Sequence, residues 1–180
     1  METTTTNPTL ERFNNTPTYV NMNSFEDADD ELRPIAEHVK TTTTYNEYIE
    51  PSRIKFLYQN KSPGKDGGRY TLFNLVKRTD MDKMINDTYD FILIVFYDVW
   101  KDLEGEQKVI QLDKALCGID MGTEMSPKIG KKSPDSKEFI SNMRQFGANR
   151  VMEVSEMIHL ACERVVEERK EEKKKGREKS

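Results

Sequence analysis

The chain has 180 residues, of which 35% are hydrophobic and 33% charged, and its formal net charge is -4 at pH 7. This length provides one modest core, and the acidic balance argues against a general nucleic-acid binder, which is usually basic. No apolar run approaches the ~18 residues of a membrane span, and the N-terminus lacks the basic and apolar regions of a signal peptide. Cys117 and Cys162 form no CxxC pair, so we expect reduced thiols and a cytoplasmic protein.

The two ends of the chain have the composition of tails. Residues 1–29 are rich in Thr and Asn and end in an acidic cluster, without sustained hydrophobic periodicity, which predicts a disordered segment. From Arg164 to Ser180 the sequence has eight Lys or Arg against five Glu, which is typical of a solvated helix end. The predicted organisation is therefore a tail over 1–29, a folded domain over 30–148, and an amphipathic helix over 149–180 that runs into a charged tail.

The first half of the folded region predicts one helix and two strands. The helix is indicated by apolar residues at helical spacing, namely Leu32, Ile35, Ala36 and Val39. The stretch "RIKFLYQ" alternates apolar and polar residues, and "RYTLFNLVKR" is apolar on both faces for part of its length. The Gly-rich segment between them, around Gly64, Gly67 and Gly68, predicts that these two strands form a hairpin with a mobile tip.

The second half predicts a central strand followed by three helices. The near-continuous apolar run "FILIVFYDVW", Phe91 to Trp100, indicates a buried strand. The next helix is marked by Val109, Ile110, Leu112, Leu116 and Cys117, and Gly118 ends it. A short helix follows with Phe139, Ile140, Met143 and Phe146 inward and Gly147 as its C-cap, and then the longest helix with the stripe Val151, Val154, Met157 or Ile158, Ala161 and Val165. The predicted class is α+β, with a roughly three-stranded sheet packed with three to four helices.

Residues suited to catalysis are sparse. The two histidines, His38 and His159, lie far apart in the sequence, and no Cys/His cluster could assemble a typical zinc site. One alternative is a divalent-cation-dependent enzyme in which Asp113, Asp120 and Asp135 hold the cation, with Glu124 and Glu138 nearby. A second alternative is a DNA-associated accessory protein that uses the basic C-terminal end.

The order of elements resembles the phage metallopeptidase domain family, a small zincin-like family. Its members read strand, acidic-aromatic turn ending in Trp, a helix carrying His-Glu-Leu-Cys-His, a segment resembling His-Asp-x-x-Glu-Phe, and a short helix closing in Tyr-Gly or Phe-Gly. The resemblance covers Leu32 to Gly147. Its landmarks here are Trp100, Leu112-Asp113, Leu116-Cys117, Glu138-Phe139 and Phe146-Gly147.

The resemblance fails at the residues that would carry the chemistry. Lys114 and Gly118 stand where the two zinc-binding histidines of the helix would be, and Ala115 replaces the glutamate that would activate water. Pro134 stands where the third ligand would be. The resemblance therefore implies an inactive zincin-like protein of phage origin, without zinc or another cofactor.

We expect such a protein to act by binding a host or phage protein in the host cytoplasm, with a host factor as one candidate. The expected partner surface comprises the former active site at Lys114 and the hairpin residues Lys65, Asp66 and Arg69.

Overall fold

A computed structural model describes residues 12–13, 24–43, 46, 48–85, 88–120, 130–132 and 139–177. The strands are β1 (Phe25–Asp27), β2 (Ile54–Gln59), β3 (Gly64–Asp66), β4 (Arg69–Thr71), β5 (Phe73–Lys77), β6 (Phe91–Phe96), β7 (Ile119–Asp120) and β8 (Gly130–Lys131). The helices are α1 (Asp29–Thr42), α2 (Asp80–Ile85), α3 (Tyr97–Trp100), α4 (Gly105–Cys117), α5 (Ile140–Phe146) and α6 (Ala148–Arg177), with a 3-10 turn at Pro51–Arg53. None of these helices is long and apolar enough to cross a membrane.

The main sheet has four strands in the order β1-β2-β6-β5. β6 pairs parallel with β2 and antiparallel with β5. Phe91, Leu93 and Val95 of β6 are fully buried, whereas Ile92 and Ile94 on the other face are partly buried. The α+β class and the central position of this strand are confirmed, but the sheet has one strand more than predicted.

The additional strand lies in the segment predicted to be disordered. β1 pairs antiparallel with β2, and the Ala28 N–H extends the pairing to the Phe56 carbonyl at 3.1 Å. Phe13 is also buried and packs its ring against His38, with 5.4 Å between centroids. The prediction of disorder over 1–29 is thus wrong at these positions, because a three-residue strand is too short to show periodicity. The rest of that range, apart from Arg12, Ser24 and Ala28–Asp29, lies outside the described residues.

The glycine-rich turn joins a different pair of strands from the pair predicted. β2 does not pair with the following strand, because β6 lies between β2 and β5. The glycine-rich turn instead joins β3 to β4 in a separate two-stranded sheet, with Gly67 and Gly68 at positive φ. The predicted second strand is interrupted at Leu72, a buried residue that lies between β4 and β5.

Two predicted elements change at their ends. The strand predicted over Phe91–Trp100 ends at Phe96, and its last four residues form α3. In α5, Ile140 is 43% exposed instead of inward, while Asn142 is fully buried. Asn142 turns inward because its amide donates to the Ile110 carbonyl at 3.2 Å and to the carboxylate of Asp113 at 2.6 Å.

Helix α6 belongs to the domain over much of its length. Val151, Val154, Ile158 and Cys162 are buried in the core, so the predicted boundary at residue 148 does not end the folded unit. Further along the helix, Arg169 donates to the Asn60 carbonyl at 2.6 Å and also bonds the carboxylate of Asp98. The first part of the predicted solvated end is therefore held against the domain.

Candidate functional site

Most of the predicted site residues meet at a cavity of about 330 Å³ between the sheet and two helices. We call it the α4 cleft. Its walls come from β5, the end of α4, the β3–β4 hairpin, the end of β8 and the middle of α6. The described residues that line it are Lys65, Asp66, Tyr70, Thr71, Leu72, Phe73, Asn74, Leu75, Leu93, Gln111, Lys114, Ala115, Gly118, Lys131, Lys132, Phe139, Ser155 and Ile158.

The structure brings together most of the sequence-predicted residues. Lys114, Ala115 and Gly118 line the α4 cleft together with Lys65 and Asp66 of the hairpin. Residues three and four apart lie on one face of a helix, which places the first three side by side. The other face of α4 carries Leu112 and Leu116, which are fully buried in the core.

One other described residue of the prediction does not line the cleft. Arg69 forms an ion pair with Glu156 on α6. Pro134 lies outside the described residues, so its predicted role is left open.

Lys114 is held by a hydroxyl on the facing helix. Its Nζ donates to Oγ of Ser155 at 3.2 Å, and Nε2 of Gln111 donates to the same oxygen at 3.4 Å. Because Ser155 accepts both bonds, its own hydroxyl proton is left to donate to an acceptor in the cleft. Helix α6 thus supplies a polar anchor that faces the end of α4.

Gly118 occupies a position that a larger residue could adopt. Its backbone is right-handed helical, with φ −73° and ψ −4°. A Cβ atom there would lie 3.8 Å from both Leu75 Cδ2 and Phe139 Cζ, and 3.1 Å from the Ala115 carbonyl oxygen. Only the last contact requires a small adjustment. The glycine therefore leaves space in the cleft without being required by the backbone conformation.

The charges around the α4 cleft favour anions. Among the described lining residues four are lysines, Lys65, Lys114, Lys131 and Lys132, and Asp66 alone is acidic. Within the described residues the contacts of two of these lysines are long, since Lys131 donates to the Leu75 carbonyl at 3.4 Å and Lys132 lies 3.9 Å from Asp120. The described residues contain no group of three His, Cys, Asp or Glu side chains that could hold a metal ion.

Asp113 lies on the side of α4 away from the cleft. It is 1% exposed, and its carboxylate accepts bonds from the amides of Asn46 and Asn142, each at 2.6 Å. Burial raises its pKa. The cation-dependent alternative therefore loses Asp113 as a ligand in the cleft. Asp120 lies on β7, and Asp135 is outside the described residues.

The buried thiol and the histidines do not line the cleft. Burial raises the pKa of Cys117 to about 11, so the thiol is protonated at neutral pH and is a poor nucleophile. Nδ1 of His159 accepts the Tyr70 N–H at 3.0 Å, and its ring stacks on Tyr70. His38, which lies on α1, packs against Phe13.

Sequence reasoning missed most of the residues that line the cleft, and four of them carry the argument below. Gln111 and Ser155 are ordinary polar residues on amphipathic helices, and no local signal distinguishes them. Lys131 and Lys132 form a basic pair in "IGKKSP", which could have been weighed as part of a charged surface. The DNA-associated alternative, which depends on the basic end after Arg164, stays a prediction.

Comparison with known proteins gives one match. Residues 23–162 match the model of a family whose description reads "Putative phage metallopeptidase". The match extends beyond the Leu32–Gly147 region of the resemblance at both ends, and it includes β1 and the first half of α6. No curated protein and no solved structure matches the chain.

Proposed function

Because the chain belongs to the phage metallopeptidase family over residues 23–162, we propose that it is a catalytically inactive member that acts by binding a protein partner. The proposal extends to its origin and place of action. We infer a phage-encoded protein that works in the host cytoplasm and engages a host or phage protein.

The inactivity follows from what zinc-dependent hydrolysis requires. Such an enzyme needs imidazole or carboxylate ligands for the metal and a general base beside the bound water. The family helix would carry these groups at the positions of Lys114, Ala115 and Gly118. A lysine ammonium at the first position repels a cation, while alanine and glycine offer neither a ligand nor a base.

The observation that carries the proposal is the shared position of these three residues in one open cleft. They line the α4 cleft together, and the Lys114 ammonium is 3.2 Å from the Ser155 hydroxyl. A concave, partly apolar cavity with a few polar groups is the usual form of a binding site. The cleft thus retains features needed for binding, while the groups needed for hydrolysis are replaced.

The test combines metal analysis with crosslinking. We expect no stoichiometric zinc in the purified protein after dialysis and no hydrolysis of a mixed peptide library. A photo-crosslinking residue at Ala115 should yield a discrete adduct in extracts of infected host cells, and excess unmodified protein should compete for it. The matched control places the same residue at Glu167, which is exposed on α6.

Two results would contradict the proposal. About one zinc ion per chain together with peptide hydrolysis would show an enzyme. Equal crosslinking from Ala115 and Glu167, without competition, would show that the cleft has no specific partner.

A further inference from the structure

We propose that the α4 cleft binds an acidic polypeptide segment that inserts one apolar side chain. This inference rests on the proposed binding function and names the chemistry of the partner. It combines the charge of the rim, the apolar lining of the cavity and a hydrogen-bond donor on α6.

The charge of the cleft is opposite to that of the chain. The formal net charge of the whole chain is -4, whereas the described lining residues comprise four lysines and one aspartate. Lys65 comes from β3, Lys114 from α4, and Lys131 and Lys132 from the end of β8. Separate elements of the described structure thus bring positive charge to one concavity, and positive charge attracts an acidic ligand and increases its local concentration.

The lining between these lysines is apolar. Leu75 and Leu93 come from the sheet, Phe139 precedes α5, and Ile158 projects from α6. The volume of about 330 Å³ is at the lower end of ligand cavities. Burial of a leucine-sized side chain in such a cavity stabilises a complex. The cavity therefore suits a single apolar anchor better than an extended apolar segment.

The Ser155 hydroxyl adds a directional contact. Its oxygen already accepts from Lys114 and Gln111, so its proton can be donated to a ligand carboxylate. Lys114 lies beside it and supplies the positive charge. Together these groups form a local anchor for a carboxylate next to the apolar cavity.

A polypeptide fits these features better than a nucleic acid. The net charge of -4 disfavours a phosphate backbone outside the cleft. The Tyr70 ring, which could offer a platform for a base, already stacks on His159 and has the Lys65 ammonium 4.7 Å from its centroid. Base stacking supplies much of the affinity in single-strand binding sites, and a nucleic acid would gain little of it from Tyr70.

The first experiment compares labelled nine-residue peptides by fluorescence anisotropy. The main probe has one leucine flanked by four glutamates on each side. Matched probes replace every glutamate with glutamine, every glutamate with lysine, or the leucine with serine, and a single-stranded oligonucleotide forms a further arm. We expect the main probe to bind at least ~10-fold more tightly than each other probe, and its affinity to fall at high salt.

The second experiment changes the cleft. The double variant Lys65→Gln and Lys132→Gln should weaken binding of the main probe by ~5–20-fold. The double variant Lys173→Gln and Lys175→Gln removes the same charge from exposed positions on α6 and should leave the affinity within ~2-fold. Thermal unfolding of both variants verifies that the fold is retained.

Several outcomes would overturn the inference. These are failure of the main probe to bind at millimolar concentration, equal affinity for the glutamine probe, tighter binding of the oligonucleotide, or equal weakening by both double variants. If Ala115 still crosslinks a partner, any of these results rejects the acidic segment and leaves the proposed function standing. Zinc-dependent hydrolysis would instead reject the proposed function itself.

Discussion

Asp113 and Lys114 are consecutive residues of α4, yet their side chains enter different surroundings. The carboxylate of Asp113 is buried and accepts the Asn46 and Asn142 amides, whereas Lys114 lines the α4 cleft and donates to Ser155. We expect the pair to separate a role in stability from a role in binding, because one side chain holds the core and the other lines the α4 cleft.

We expect Asp113→Ala to lower the free energy of unfolding by about 2–3 kcal/mol, since two buried amides lose their acceptor. Its affinity for the acidic peptide should be unchanged at temperatures where the variant is folded.

Lys114→Met should instead weaken peptide binding ~5-fold or more, with a change in the free energy of unfolding under ~1 kcal/mol. Urea unfolding and anisotropy measure the two effects. If the parent bound a divalent cation and the Asp113→Ala variant did not, the cation-dependent alternative would regain support.

A second prediction concerns the buried ion pair of Lys108 with Glu31. Lys108 is fully buried, and its Nζ lies 3.0 Å from Oε1 of Glu31 and 2.9 Å from the Phe13 carbonyl oxygen. Glu31→Gln leaves a buried ammonium without a counter-charge, which should cost about 3 kcal/mol at neutral pH. The double variant Lys108→Met and Glu31→Gln should recover much of that loss. Equal stability of the single and double variants in urea unfolding would contradict this account.

The same pair predicts a pH effect in the Glu31→Gln variant. Burial lowers the pKa of Lys108 below its ordinary value of 10.5, and the charge of Glu31 opposes that decrease. Without Glu31 the folded-state pKa falls further, so the unfolded chain binds more protons between the folded-state pKa and 10.5. The stability of this variant should therefore rise as pH increases through that window. The double variant should lack the rise, and unfolding curves at neutral pH and about pH 10 compare them.

Local sequence patterns predicted the elements whose burial follows their own periodicity. Helix α4 has its expected apolar face and ends before Gly118, and β6 lies inside the sheet as its apolar run predicts. The pairing partners were not predictable in this way. The position of β6 between β2 and β5 depends on contacts between distant segments, and β1 is a strand only because β2 offers it an edge.

The residues of the site were also predictable from the sequence only in part. Helical periodicity places Lys114, Ala115 and Gly118 on one face from the sequence alone. The contribution of Ser155 depends on the way α6 crosses α4, and that of Lys131 on the position of β8 beside β5. Tertiary packing decides such contacts, so no spacing within one element indicates them.

Acid sensitivity should depend on Asp90. Its side chain is 2% exposed and bonds Nε of Arg53 at 2.8 Å as well as Lys83. Burial alone would raise its pKa, but these hydrogen bonds hold the pKa below the ordinary value of 3.8. A carboxyl group with a lowered folded-state pKa stabilises the protein fully above its unfolded-state pKa, and the contribution is lost as pH falls through the folded-state pKa.

We therefore expect Asp90→Asn to lower the free energy of unfolding at neutral pH by about 2 kcal/mol. The variant should also lose less stability than the parent on acidification below pH 3.8. Asp102→Asn, at an exposed aspartate, is the control and should follow the parent. Parallel pH profiles for the parent and Asp90→Asn in urea unfolding would show that Asp90 is not the acid-sensitive group.

The origin of the α4 cleft can be tested by rebuilding the family motif. The combined change Lys114→His, Ala115→Glu and Gly118→His places two imidazoles four residues apart on one helical face, where both can bind the same metal ion. The backbone at Gly118 accepts a side chain, which would enter the space between Leu75 and Phe139. We expect measurable zinc affinity in this variant and none in the parent, by competition with a chromophoric chelator.

Catalysis should stay negligible, because the resemblance implies that Pro134 replaces the third ligand, and two imidazoles hold zinc less firmly than a complete set. The matched control, Lys114→Gln, Ala115→Glu and Gly118→Gln, has side chains of similar size without imidazoles. If the control bound zinc equally well, the affinity would not come from the rebuilt motif. If the histidine variant unfolded while the control stayed folded, the two positions would not face an open cleft, and the assignment of the former active site to Lys114 and Gly118 would be wrong.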